Sequence, residues 1–311
     1  MTVVERAVDA ATADLIEATA RAAESVDGVA PLGEQPLRAL RTAGDGARHL
    51  LGIDEDDRVV AYAQLAGSGS DAAAELVVHP DNRRRGIGGE LVRAVLEREP
   101  AAAIWAHGDL PAARALAEGA GLRRTRELLM MRRRPTTGPA LPELRPPRGV
   151  ETGTLVEAVS EGGTRWPGME ARDEFLRVNN AAFSGHPEQG GWSREQLDDR
   201  LAVDWVDLGA VFLAVDTTGE RPRLAGFHWT KTVAQPGEPV EGEVYVVAVD
   251  PDDQGRGLGG LLTALGLEHL EGTVGAESVV LYVEGDNHAA IRTYDKLGFE
   301  VAHRDVTYPS P

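Results

Sequence analysis

The chain has 311 residues, which is enough for two domains of ordinary size, and its 42% hydrophobic and 26% charged residues are typical of a globular protein. It contains no cysteine, which excludes disulfides, thiolate metal sites and a cysteine nucleophile, and its formal net charge of -18 would repel nucleic acid and anionic membranes. No segment approaches the roughly 20 apolar residues needed to cross a bilayer, and the N-terminus lacks the apolar core of a signal peptide, so we expect a cytoplasmic protein.

The first half of the chain combines helical and strand patterns with one glycine-punctuated segment. Helical spacing of apolar residues, β-branched runs and turn residues locate the elements. We predict helices at 11–24, at 34–43, after residue 89 and at 111–118, and strands at 49–53, 58–65, 74–79 and 103–106, with a last strand that ends at 133. The segment 80–89, PDNRRRGIGG, lies between a strand and a helix.

A proline-rich segment separates the two halves. Residues 135–149 carry five prolines and almost no periodicity, which indicates a semi-rigid, extended linker.

In the second half we predict helices at 171–182, at 193–201, after residue 260 and at 287–297, and strands at 211–216, 224–230, 244–249, 279–284 and from 299 onward. Helices that flank a mixed sheet predict an α/β fold.

The second half is organised around residues 243–260. A β-branched run ends at the turn DPDD, and the loop QGRGLG then leads into an apolar helical pattern. A strand, a glycine-rich loop and a helix N-terminus in this order aim several backbone N–H groups at one point, where an anion such as a pyrophosphate can bind. An ordinary turn is the alternative for any one of these glycines. The spacing matches neither a Walker A loop nor a Rossmann fingerprint.

The segment 80–89 repeats this pattern. The matching pairs are Pro80 with Pro251, Arg85 with Arg256, Gly86 with Gly257 and Gly88 with Gly259. We therefore predict a tandem of two similar domains, at 1–134 and 150–311, joined by the linker 135–149. Because the net charge is negative, an anionic ligand needs local basic groups, and Arg83 to Arg85 and Arg256 are the candidates.

The loop of the second half resembles motif A of the GNAT N-acetyltransferases, in which a Q-x-x-G-x-G segment holds the pyrophosphate of acetyl-CoA. The segment GDNHAAIRTYDKLGF is similar to another pattern of that family, N-x-x-A-x-x-x-Y-x-x-x-G-F. The matching residues are Asn287, Ala290, Tyr294, Gly298 and Phe299. The resemblance implies two tandem acyl-CoA N-acyltransferase domains, each with a mixed, centrally splayed sheet whose gap admits the acyl arm.

The closing segment of the first half departs from the family pattern. In GDLPAARALAEGAGL, Leu110 replaces the asparagine and Ala117 replaces the tyrosine. Tyrosine is suited to protonate the departing CoA thiolate because its hydroxyl carries a proton at neutral pH, and alanine cannot do this. We therefore expect the first domain to be catalytically inert, although it keeps a site for acetyl-CoA, and the second domain to be catalytic.

The chemistry implied by the resemblance assigns an acid and a base. Tyr294 is the candidate general acid, with a packing residue as the alternative, and Glu243 stands where the family commonly places the base, with a solvent-exposed strand-edge charge as the alternative. Backbone N–H groups near Val247 are candidates to polarise the thioester oxygen. Because the chain has no cysteine, we expect direct transfer, and no histidine cluster has metal-ligand spacing, so we predict no metal.

A closer resemblance extends over nearly the whole chain. The segments VDGVAPLGEQ, AELVVHPDNRRRGIG, WAHG, FLRVNNAAFSGHPEQGGW, GFHWTK, GEVYVVAVDP and LYVEGDNHAAIRTYDKLGF are similar to those of the mycothiol synthase family, the tandem acetyltransferases of actinobacteria. The resemblance implies transfer of an acetyl group from acetyl-CoA to the cysteinyl amine of 1D-myo-inositol 2-(L-cysteinylamino)-2-deoxy-α-D-glucopyranoside, which gives mycothiol and CoA.

The same resemblance assigns binding residues. The family's substrate contacts fall on Glu34, Glu188, Lys231, Glu243 and Tyr282. Its acetyl-CoA contacts in the second half fall on Val247, Ala248, Val249, Gln254, Gly255, Arg256, Gly257, Leu258, Gly259, Gly260, Asn287, His288, Ala289, Ala290, Ile291 and Arg292. A second acetyl-CoA in the first half would contact Leu76, Val77, Val78, Arg84, Arg85, Gly86, Ile87, Gly88 and Gly89. One departure is Gly255, where a basic residue is usual. Loop solvation is the alternative for Glu34 and Glu188.

Two other functions fit the residues. One is a GNAT enzyme for a different amine, such as an aminoglycoside or a protein N-terminus, and the other is a non-catalytic acyl-CoA sensor. Retention of Glu243 and Tyr294 favours the enzyme. We expect a monomer that acts on a small thiol glycoside and binds neither nucleic acid nor membranes.

Overall fold

The computed structural model describes residues 2–42, 46–160, 165–185, 189–234, 237 and 239–309. The chain divides into two units, and neither unit is one continuous stretch. The first comprises residues 1–129, 284–286 and 303–311, and the second comprises residues 130–283 and 287–302. Among the described residues, no helix combines the length and the apolar character needed to cross a membrane.

The first unit is a mixed sheet with helices packed on it. Its strands are β1 (Thr2–Glu5), β2 (Arg48–Ile53), β3 (Val59–Ala66), β4 (Ala73–Val78) and β5 (Ala103–Ala106), and its helices are α1 (Ala10–Asp27), α2 (Glu34–Ala39), α3 (Ile87–Arg98) and α4 (Pro111–Gly119). The strands follow the order β1-β2-β3-β4-β5, and only the β4–β5 pair is parallel. Strand β6 (Arg126–Arg133) crosses the boundary between the units.

The second unit has the same architecture. Its strands are β7 (Val150–Thr154), β8 (Val211–Asp216), β9 (Arg223–Val233), β10 (Glu241–Val249) and β11 (Ser278–Glu284), and its helices are α5 (Leu155–Val159), α6 (Ala171–Ala182), α7 (Arg194–Leu201), α8 (Leu258–Glu268) and α9 (His288–Lys296). Strand β10 is parallel to β11 and antiparallel to β9. The predicted α/β fold with mixed sheets is confirmed. Strands β1 and β7 and helix α5 were missed, because these short elements show little periodicity.

Local signals explain where the helices begin and end. Helix α1 begins where the side chain of Asp9 accepts the Thr12 N–H at 2.8 Å, and it ends at Gly28, which adopts the left-handed conformation. Its apolar face packs on β2, β3 and β4 through Ile16 and Ala20.

Helix α2 was predicted to extend to residue 43 but ends at Ala39. Element bounds are the least reliable part of a sequence prediction.

The last strand lies in a different unit from the one that its position in the sequence suggests. Strand β12 (Glu300–Pro309) pairs antiparallel with β5, from Val306 opposite Ala106 to Pro309 opposite Ala103. Val306 and Tyr308 are buried in the core of the first unit. The contiguous bounds 1–134 and 150–311 differ from the compact units in this respect, because an apolar alternation does not specify which sheet a strand joins.

A buried arginine holds the predicted linker in the second unit. Arg133, 2% exposed, donates to the carbonyl oxygens of Leu297 and Pro139 and pairs with Glu271. Gly298 adopts φ 81°, and a Cβ there would lie 2.2 Å from Pro139. The linker segment at Pro139 is therefore packed against the unit.

We expect Arg133→Met to destabilise the protein by about 3–5 kcal/mol, because it leaves Glu271 and two carbonyl oxygens without their charged partner. Urea unfolding followed by tryptophan fluorescence measures this change. Arg145→Met is the control, since Arg145 pairs with Glu143 in solvent and its loss should change stability by under about 0.5 kcal/mol. Equal stability of the two variants would contradict the anchoring role.

Candidate active site

The glycine loop of the second unit forms an anion-binding geometry at the start of α8. After β10, a 3-10 turn at Pro251–Asp253 leads to Gly255 and Gly257, which adopt φ of 79° and 80°. The first N–H groups of α8 have no partner within the helix, as in any helix, and Gly257 at the cap provides no side-chain acceptor for them. Glycine adopts these angles without strain. The backbone thus presents its donors to one point.

The first unit repeats this geometry before α3. A 3-10 turn at Pro80–Asn82 leads to Arg84 and Gly86, which adopt φ of 62° and 82°. A cavity of about 490 Å³ opens beside the loop, and it is lined by all of the predicted residues from Leu76 to Val78 and by Arg84, Gly86, Ile87, Gly88 and Gly89. Arg85 does not line it. Arg84 occupies the left-handed position that Gly255 takes in the second unit.

Some of the arginines near the two loops are already paired with carboxylates, and others are not. Arg256 pairs with Asp216 at 2.7 Å and also with Asp253, and Arg83 binds both carboxylate oxygens of Asp27. Hydrogen bonds from Thr218 and the Arg256 guanidinium lower the pKa of Asp216 to about 2. Arg84 and Arg85 are exposed and form no ion pair with another described residue. In the second loop, the backbone N–H groups are therefore the donors that remain for an anion.

Strands β10 and β11 separate beside this loop. Within the described residues they pair over four positions, from Glu241 opposite Ser278 to Val244 opposite Leu281. The register of β10 against β9 also shifts between Val244 and Val246, which makes Tyr245 a bulge residue. In the first unit, β4 and β5 pair at only two described positions. The predicted central splay is confirmed in both units.

Tyr294 lies on α9, and its hydroxyl is protonated at neutral pH. Its ring packs edge-to-face on Phe299 at 5.8 Å, and burial raises the pKa of Tyr294 to about 12, so the hydroxyl keeps its proton at neutral pH. No other described residue forms a hydrogen bond with that hydroxyl. The side chain of Asn287 accepts the Ala290 N–H at 3.1 Å and so caps α9.

The corresponding residues of the first unit have different roles. Helix α4 begins with Pro111 and has Leu110, which makes no side-chain cap, before it. Ala117 is buried among Val92, Ile104 and Val306. The position that carries a phenol in the second unit is therefore part of the apolar core in the first unit.

Glu243 lies in the interior of its sheet. It stands opposite Lys231 on β9 and Val280 on β11, its side chain is 16% exposed, and its Oε2 is 3.7 Å from the Lys231 Nζ. The structure therefore disagrees with the alternative of a solvent-exposed strand-edge charge. It brings together Glu243 and Lys231, two of the predicted substrate contacts.

Two aromatic residues that the sequence analysis missed lie beside this pair. Trp205 and Tyr245 are 37% and 39% exposed, and their rings are 5.1 Å apart. The Lys231 Nζ lies 5.5 Å from the Trp205 ring and 5.8 Å from the Tyr245 ring, within the range of cation–π attraction. The bulge turns Tyr245 to this face, and a bulge has no simple sequence signal.

The remaining predicted substrate contacts are spread over the chain. Tyr282 is half exposed on β11, one residue after the last β10–β11 pair, and Glu34 is exposed as the first residue of α2. Glu188 lies outside the described residues.

Comparisons with known proteins place this geometry in a family. A model of the acetyltransferase (GNAT) family matches residues 174–299, and a GNAT acetyltransferase domain model matches residues 46–120. The chain is 49% identical over 306 residues to a mycothiol acetyltransferase of Rhodococcus opacus, which covers 97% of this chain and 95% of that relative. It is 50% identical over 299 residues to one of Mycolicibacterium smegmatis, with 94% and 93% covered.

Solved structures show the same fold. A GCN5-related N-acetyltransferase from Sphaerobacter thermophilus superimposes with a TM-score of 0.73 at 23% identity and covers 99% of this chain and 95% of its own. A tandem GNAT protein from the clavulanic acid biosynthesis pathway has a TM-score of 0.63 at 20% identity, with 100% and 99% covered. The protein is therefore an acetyl-CoA-dependent N-acetyltransferase of the GNAT family, and within that family it belongs with the mycothiol acetyltransferases.

Proposed function

We propose that this protein transfers the acetyl group of acetyl-CoA to the cysteinyl amine of 1D-myo-inositol 2-(L-cysteinylamino)-2-deoxy-α-D-glucopyranoside and so forms mycothiol and CoA. The observation that supports this substrate is the identity of 46–50%, over nearly the full length, to proteins named mycothiol acetyltransferase. The second unit supports the chemistry, because it combines a splayed strand pair, an anion-binding loop, a carboxylate and a protonated tyrosine.

The residues of the second unit suggest how the reaction proceeds. An α-amino group has a pKa of roughly 7.7–8, so Glu243 has to remove a proton from much of the bound amine at neutral pH. The amine nitrogen then forms a bond to the acetyl carbon while the bond from that carbon to sulfur breaks. Tyr294 gives its proton to the departing CoA thiolate. N–H groups near Val247, on the unpaired side of β10, would polarise the thioester oxygen.

The substrate contacts are part of the same proposal. A glycoside that carries a cationic amine requires carboxylates and hydrogen-bonding groups, which Glu34, Glu188, Lys231, Glu243 and Tyr282 provide. The cavity beside α3 would bind a second acetyl-CoA, and Ala117 leaves that site without a proton donor. The first domain, at 1–134, would therefore bind acetyl-CoA without turnover, and the catalytic domain would be at 150–311.

A steady-state assay of the purified protein with acetyl-CoA and a panel of amines tests the substrate. We expect kcat/KM for the cysteinyl glucosaminyl-inositol to exceed that for an aminoglycoside or a peptide N-terminus by at least about 10²-fold, because polar groups left unpaired by the wrong acceptor weaken its transition state. A higher kcat/KM for one of the other amines would assign the enzyme to that acceptor class.

The acid and the base should be separable by their pH dependence. Glu243→Gln and Tyr294→Phe should each lower kcat by about 10²–10⁴-fold. The loss in Glu243→Gln should shrink as the pH rises from 7 to 9, since the free amine then forms without help, whereas the loss in Tyr294→Phe should persist. Tyr294→Phe keeps the ring contact with Phe299, so its KM for acetyl-CoA should stay near that of the wild type. Full turnover in Tyr294→Phe across this pH range would make Tyr294 a packing residue.

Gly86 and Gly257 form a matched pair for testing the two loops. Both cap a helix, at φ of 82° and 80°, and a Cβ at either position would have no atom within 4 Å. Valine at either position should therefore cause similar backbone strain, of about 1–3 kcal/mol. We expect Gly257→Val to reduce turnover at least about 10²-fold and Gly86→Val to leave kcat nearly unchanged. Equal loss of turnover in the two folded variants would contradict the unequal roles.

A further inference from the structure

A cluster of buried charged residues lies in the first unit, apart from the residues assigned to acetyl transfer. The imidazole of His107 stands between two carboxylates, with its Nε2 3.0 Å from Glu75 Oε2 and its Nδ1 3.2 Å from Asp305 Oδ2. The three side chains are only 8–16% exposed. Although burial alone would lower it, the two carboxylates raise the pKa of His107 to about 9, so the imidazole is charged at neutral pH.

The cluster is connected to the N-terminus of α2. Glu75 Oε2 accepts the N–H of Gly33 at 2.6 Å, and Gly33 is the residue that caps α2. Gly33 itself provides no side-chain cap, so this bond to β4 holds the start of the helix. The next residue is Glu34, whose carboxylate is exposed and forms no ion pair with another described residue.

The opposite side of the cluster supports the segment that precedes α2. Gly108 donates its N–H to Asp305 Oδ1 at 3.0 Å and adopts φ 76°. A Cβ on Gly108 would lie 2.7 Å from a methyl group of Val29, so the turn after β5 packs directly against that segment. The segment 29–33 is thus held at one end by Gly108 and at the other by Glu75.

We propose that Glu75, held by His107 and Asp305, is a positioning residue that sets the Glu34 carboxylate in place for the acceptor substrate. This inference rests on the proposed function, in which Glu34 contacts the amine-bearing glycoside. An exposed carboxylate on a six-residue helix contributes more to binding when its position is set before the substrate arrives, because less conformational freedom is then lost. The bond from Gly33 to Glu75 fixes the backbone from which the Glu34 side chain projects, and the contacts of His107 with Glu75 and Asp305 hold the Glu75 carboxylate in place.

A double-mutant cycle in the full-length protein tests the proposal. We expect Glu34→Ala and Glu75→Ala each to raise the KM for the cysteinyl glucosaminyl-inositol about 10-fold or more, with kcat and the KM for acetyl-CoA within about twofold of wild type. The double variant should be no worse than either single variant, because Glu75 acts through Glu34. Glu75→Gln keeps an oxygen acceptor for the Gly33 N–H and should restore most of the affinity.

Two further variants separate positioning from general stability. Gly33→Pro removes the N–H donor at a φ of -73° that proline accepts, and its ring also displaces the Glu75 carboxylate from this nitrogen, so it should reproduce the KM of Glu75→Ala even if the latter folds poorly. Glu5→Ala is the matched control, since Glu5 is another strand carboxylate of the first unit with two arginine partners. It should lower thermal stability without raising the amine KM.

The outcomes are distinct. Additive losses in the cycle, or equal rises in both KM values, would show that the cluster only stabilises the first unit and would overturn the proposal. If Glu34→Ala kept the wild-type KM for the amine, Glu34 would not contact this substrate, and the positioning proposal would be wrong. The proposed acetyl transfer would be unaffected by that result. The same assay is first run on the wild-type protein. If that protein does not acetylate this amine, both the proposed function and the positioning proposal are rejected.

Discussion

The separation of β10 from β11 after four residue pairs is the constraint on which the second unit depends. Where two parallel strands stop pairing, the backbone donors of one strand remain available in the middle of a sheet, a place where water and side chains are otherwise excluded. The bulge at Tyr245 lies at the same level, and it changes which residues of β10 face the helices. Glu243, before the bulge, and Val246, after it, therefore point to the same side, although an unbroken strand would place them on opposite faces.

The two units share one backbone geometry but differ in the side chains that it carries. Both have a short parallel pairing, a 3-10 turn and a left-handed glycine before a helix. They differ in side chains, since Tyr294 and Asn287 of the second unit correspond to Ala117 and Leu110 of the first. In the second unit this position carries a phenol with a raised pKa, whereas in the first unit it carries Ala117, which lies in an apolar core and lines a cavity.

The features that the sequence predicted are those encoded locally. The glycine loop before α8, the pattern from Asn287 to Phe299 and each copy of the repeated loop are short segments, and they could be recognised from their own spacing. Features that depend on distant partners could not. The sequence names Arg256 as a candidate for an anionic ligand but does not show that its guanidinium pairs with Asp216, 40 positions earlier. The Glu75–His107–Asp305 cluster joins three separate strands or turns, and Lys231 meets Trp205 from a turn after α7 and Tyr245 from the bulge in β10.

The placement of β12 in the first unit also has a consequence for biosynthesis. Strand β5 ends at Ala106, whereas its partner residues begin at Val306, so the ribosome must translate the sequence of the second unit before the first sheet can be completed. At about 5–20 residues per second, that interval is on the order of 10–40 s. During this time Ile104 and Ala117 lack the cover that Val306 and Tyr308 later provide. The nascent first half therefore has an unpaired β5 edge, the kind of surface that chaperones recognise and that favours misassembly on crowded ribosomes.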